Sequence, residues 1–92
     1  MSTTRNISIL ISGKVQGVFF RASAKAKADE LGITGTVQNK ANGQLYVEAE
    51  GESEKLILFE EWCKQGPPLA YVDAIEVLAC GPKHFPNFTI LR

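Results

Sequence analysis

Polar and apolar residues alternate from Asn6 to Ser12, with Ile7, Ile9 and Ile11 on one side and Asn6, Ser8 and Ser12 on the other. A period of two belongs to a strand with one buried face. Gly13 and Gly17 interrupt the alternation, and Phe20, Ala24, Ala28 and Leu31 then recur at helical spacing, which predicts a first helix over Arg21 to Leu31. Gly32 follows as a left-handed cap. The extended segments Thr34 to Gln38 and Gln44 to Glu50 flank Asn39-Lys40-Ala41-Asn42-Gly43, whose Asn-Gly end signals an antiparallel hairpin. In its second strand Leu45, Val47 and Ala49 are predicted inward, and Gln44, Tyr46, Glu48 and Glu50 toward water. Helical spacing returns with Leu56, Phe59 and Cys63, with Ser53 as cap, Glu54 near the positive end, Trp62 shielding the edge and Gly66-Pro67-Pro68 as the stop. Tyr71 to Cys80 reads as a longer strand whose apolar phase slips between Val72 and Ile75, the mark of a bulge. A last strand from Asn87 carries Phe88 and Ile90 inward.

This order predicts an α+β fold: a ferredoxin-like α/β sandwich, βαββαβ plus a short C-terminal strand, with two helices on one face of an antiparallel sheet. Ninety-two residues suffice for one domain, taken as 1–92. Such a topology hosts enzymes and binding modules alike and names no function. Charge narrows the choice, because ten Lys and Arg balance ten Asp and Glu and leave no broad basic surface for nucleic acid or anionic membrane. No apolar run approaches the ~20 residues of a membrane span, and the start lacks the features of a secretory signal. Cys63 and Cys80 are too few for a disulfide framework and are read as buried, reduced thiols of a cytoplasmic protein. An even charge spread and no apolar outer stripe point to a monomer.

Chemistry concentrates at residues 13–21, GKVQGVFFR, between a strand end and a helix start. Unpaired N–H groups and the helix dipole favour a small anion there. The glycines let the amides of Gln16, Gly17, Val18, Phe19 and Phe20 curl toward one concavity, and Arg21 offers a planar fork for two phosphate oxygens. The plainer reading is a tight loop with a surface arginine. Other phosphate chemistries fail on the letters. Val18 stands where a Walker loop needs its second glycine, and Leu69 and Pro86 stand where a cysteine phosphatase needs its arginine. The serines lack a histidine partner in any recognisable arrangement, and the lone His84 lies in a Gly- and Pro-rich loop, predicted solvated. The alternating acids Glu48, Glu50, Glu52 and Glu54 read as a wet strand edge, not as a metal site.

The same stretch resembles the first signature of the acylphosphatase family, G-x-V-Q-G-V-x-[FM]-R, at every specified position. Residues 35–51, GTVQNKANGQLYVEAEG, resemble the second, with Asn39 at its asparagine and Gly43 and Gly51 at its later glycines. The resemblance continues through 66–72 and the closing Phe88-Thr89-Ile90. It implies hydrolysis of an acyl phosphate to a carboxylate and inorganic phosphate by direct attack of water, with no cofactor and no metal. It assigns the phosphate grip to Arg21 with the loop amides, and the orientation of water to Asn39. Thr36 stands where the family usually has an aromatic residue, and Gln38 where it commonly has a basic one. The alternative is a ferredoxin-like module that binds a small anion without turnover. An RNA binder is disfavoured because Tyr46 stands alone among acids on the third strand.

Overall fold

A computed structural model describes residues 3–91. The elements run β1 (Thr4–Lys14), α1 (Phe20–Leu31), β2 (Thr34–Asn39), β3 (Leu45–Glu52), α2 (Ser53–Gln65), β4 (Tyr71–Cys80) and β5 (Phe88–Leu91). The strands form one five-stranded sheet in the order β4-β1-β3-β2-β5, and β1 is the longest of them. Ile7, Ile9, Ile11, Val37, Leu45, Val47, Ala49 and Phe88 are buried from the sheet side. Phe20, Ala24 and Ala28 of α1 and Leu56, Phe59 and Cys63 of α2 are buried from the helix side. These are the stripes that the spacing predicts, and the alanines of α1 let its backbone lie close to the sheet. Trp62, partly buried, meets Phe20 edge-on at 5.4 Å between ring centroids and closes the rim between the helices.

The sequence pattern predicts an antiparallel sheet, but the sheet is mixed: β5 pairs with β2 in parallel, Gly35 opposite Phe88 and Val37 opposite Ile90. The cause is the route of residues 81–87. They leave β4 at one edge of the sheet, cross its outer face, and enter beside β2 at the other edge. Three ties mark the crossing: Asn6 Nδ2 donates to Gly81 O at 2.9 Å, the amides of Lys83 and Phe85 donate to the Glu50 carboxylate at 3.0 Å each, and Gly35 N donates to Asn87 O at 3.0 Å. The alternation of β3 points Glu50 to water, but this strap buries it to 4% exposure. Asn6 and Ser8, on the same face, are buried as well. Burial opposes the Glu50 charge, yet the strap amides hold its carboxyl below the usual carboxylate range.

Other boundaries move for local reasons. Ser53 is the first residue of α2, not its cap; Glu52 occupies that place without a side-chain capping bond, and Ser53 Oγ donates to Thr3 O at 3.1 Å. Gly32 ends α1 in the left-handed region at φ 73°, as predicted. The bulge in β4 is also present: Ser12 faces Ala74 while Gly13 faces Val72, so Asp73 is the extra residue. Gly13 makes that possible, since a Cβ there would run into Tyr71 O and come within 2.7 Å of Asp73 N. Cys63 is buried, but Cys80 is only partly so, on the edge strand.

Candidate functional site

The end of β1, the start of α1 and the end of β2 converge on one cavity of about 350 Å³. Two left-handed residues shape the loop between the first two elements, Gly17 at φ 72° and Phe19 at φ 65°. Left-handed residues set among right-handed or extended ones are the backbone pattern by which successive amides can face a common side. Val15, Val18 and Phe20 are buried and pin the loop to the core from beneath. The Gln16 side chain pins it from the flank, because Nε2 donates to Lys40 O at 2.7 Å and to Gln44 O at 2.9 Å. The hairpin that receives those bonds is itself braced by Lys40 N to Gln44 O at 2.7 Å and by Gln44 Nε2 to Ser12 Oγ at 2.8 Å. Loop and hairpin are thereby tied together, and Asn39, the last residue of β2, is held against the loop.

Arg21 lies in the first turn of α1 and lines the cavity, as does Asn39 from another element. The structure thus brings together the two side chains that the sequence singles out at eighteen residues' separation. Among the described residues Arg21 donates one hydrogen bond, from Nη1 to Leu91 O at 3.5 Å, which leaves most of the guanidinium's donors free of those residues. Gly17, Phe19 and Phe20 also line the cavity, whereas Val18 points into the core and Gln16 into the hairpin. For those two, only the backbone amide remains to meet a ligand. Sequence reasoning missed Val15, Ala22 and Ile90 in the cavity wall. The inward phase of Ile90 is legible, but its place beside the site depends on the parallel pairing of β5 with β2.

Arg21 is the one ionisable side chain in the cavity lining among the described residues. No three His, Cys, Asp or Glu side chains gather as a metal-binding group among those residues. The cavity can therefore attract and orient an anion, and its lining holds no side chain suited to passing a proton.

Fold and cavity together put the chain among small α/β sandwiches that present one basic concavity at the loop after the first strand. Comparison with known proteins makes this particular. Residues 7–90 match the acylphosphatase family model, and the chain belongs to that family. An acylphosphatase of Methylococcus capsulatus is 42% identical over 89 residues, covering 96% of this chain and 97% of its own length. Among solved structures, an acylphosphatase from Coxiella burnetii superposes with a TM-score of 0.93 at 36% identity, covering 96% of this chain and 93% of that one. The crystal structure of acylphosphatase from Bacillus subtilis gives 0.93 at 31% identity, covering 98% and 100%.

Proposed function

We propose that this chain hydrolyses acyl phosphates to a carboxylate and inorganic phosphate, and that Arg21 and Asn39 carry the reaction. The observation that supports this most directly is the shared cavity of about 350 Å³ lined by an arginine at a helix start and an asparagine at a strand end. The guanidinium and the amides of Gln16, Gly17, Val18, Phe19 and Phe20 grip the phosphoryl oxygens and stabilise the charge that gathers there during transfer. Asn39 positions a water molecule for attack on phosphorus in line with the departing carboxylate.

The lining also speaks to the leaving group. An alkoxide leaving a simple phosphate ester needs a proton, and the described residues of the cavity lining include no histidine, aspartate or glutamate to supply it. A carboxylate, with a parent acid of pKa ~4, departs unprotonated at neutral pH. Positioning and charge stabilisation then suffice. The working unit is read as a single domain over 1–92, a monomer, and a cytoplasmic protein with both cysteines reduced. The first two are supported by a cavity built from one chain's own residues, the last by two unpaired thiols.

The test is hydrolysis of acetyl phosphate, with inorganic phosphate as competitor and glycerol phosphate as control. Turnover of acetyl phosphate with competitive inhibition by phosphate is expected. Phosphate binding without turnover, or equal kcat/KM on the two substrates, would overturn the reading.

A further inference from the structure

The cavity has an apolar side that the phosphate grip does not use. Phe19 forms part of it, and the residue is 72% exposed, above every other exposed large hydrophobic residue described. Its backbone is also at an uncommon setting, φ 65° and ψ 21°, a left-handed conformation that a bulky residue occupies at a cost. Phe19 is the N-cap of α1 and makes no side-chain capping bond. Local physics would favour glycine or asparagine there, the first for its φ and the second for both φ and cap. A phenyl ring exposed to water, strained in its backbone and idle as a cap gains nothing from the folded chain alone.

Its surroundings show what it can gain. Phe19 O accepts a hydrogen bond from Ser23 N at 3.0 Å, which fixes the residue to the first turn of the helix. The backbone of Phe19 is therefore fixed at the cavity wall, two residues before Arg21. Ile90 and Ala22 continue the apolar surface, and among the described lining residues no acidic side chain interrupts it. With a phosphoryl group held at Arg21, the acyl portion of the substrate is the part left to cover these side chains.

We propose that Phe19 is a specificity-determining residue that seats the acyl group, and that the preferred substrates are acyl phosphates with a flat aromatic or bulky apolar acyl group. This rests on the acyl phosphate reading of the site and names its substrate class. A ring in the acyl group stacks on or packs edge-on against Phe19, whereas a methyl group covers little of it. Among the described lining residues Arg21 is the one cation, and the phosphoryl group occupies it.

The experiment compares kcat/KM for benzoyl phosphate and acetyl phosphate in the wild type, Phe19→Asn and Phe19→Trp. The ratio of the two values within each protein is the readout, so changes in folding or phosphate grip cancel. Asparagine suits the backbone and the cap but removes the ring, and the benzoyl-to-acetyl ratio should fall by about 3- to 10-fold, the range of a lost aromatic pair. Tryptophan should keep or raise the ratio. A ratio within twofold of wild type in both variants, including the case where both substrates lose equally, overturns the proposal. If Phe19→Asn does not fold, Phe19→Gly serves in its place with the same expectation. Good acetyl phosphate turnover with an unmoved ratio sinks this inference alone, whereas no turnover of either substrate by the wild type sinks the acyl phosphate reading beneath it.

Discussion

Arg21 works by geometry as much as by charge. Its fork can meet two phosphoryl oxygens at once, and its hydrogen bond to Leu91 O, the one it makes among the described residues, is long at 3.5 Å. Arg21→Ala should cut kcat/KM by about 100-fold or more, in keeping with about 3 kcal/mol for a charge-assisted contact. Arg21→Lys should recover little, and near-normal steady-state kinetics in that variant would show that a point charge is enough. Asn39 divides the labour differently. Its loss should lower kcat far more than it weakens inhibition by phosphate, because placing water matters to attack and little to grip. Equal losses in both measurements would contradict the assignment. The thiols make a third case. Burial, with some help from Glu60, pushes the Cys63 thiol far up and keeps it protonated, so a thiol reagent should titrate Cys80 in the native protein and reach Cys63 only on unfolding. Both cysteines read as buried in the sequence. Cys80 differs because an edge strand leaves one side of each residue without a neighbour, and that is decided by strand order.

Among the elements, the strap over residues 81–87 sets the most. It determines where β5 enters, and β5 supplies Ile90 to the cavity wall and Leu91 O to Arg21. Lys25 Nζ on α1 also holds β5, donating to Phe88 O at 2.8 Å. Glu50 anchors the strap through two backbone amides, so Glu50→Ala should destabilise the fold by about 1–3 kcal/mol by leaving those donors unpaired, measurable as a lower denaturation midpoint. The sign of the pH dependence follows from its lowered pKa. The folded state binds a proton to Glu50 less readily than the unfolded chain does. The stabilisation is therefore full above the unfolded value of ~4.3 and is lost as pH falls through the folded one. Acid unfolding of Glu50→Gln should lack that component. An unchanged acid limb in Glu50→Gln would remove Glu50 from this role. The bulge of β4 is legible from the slip in apolar phase around Asp73, but nothing in the alternation of β3 distinguishes Glu50 from Glu48. Only a strap arriving from more than thirty residues downstream does so, through bonds such as Lys83 N to Glu50 Oε2.

At the scale of the whole molecule, binding at the site should report on folding. A ligand held only by the native state raises stability by RT ln(1 + [L]/Kd), about 2.7 kcal/mol at a hundredfold excess over Kd. For a chain of this size inorganic phosphate at that excess should then raise Tm by about 14 °C, and Arg21→Ala should abolish the rise. An undiminished shift in that variant would place the phosphate elsewhere. The elements themselves are readable from the chain alone, because strand and helix periods, glycine stops and the Asn-Gly turn are local properties. The split βαβ order is readable too, as are Arg21 and Asn39, whose neighbours form two short motifs. What the letters do not carry are non-local facts. The parallel entry of β5, the burial of Glu50 and the apolar wall shared by Phe19, Ile90 and Ala22 all depend on which strand lies beside which. That order is set by the packing of the finished sheet, since the free energy gained by covering a face comes from residues far apart in sequence.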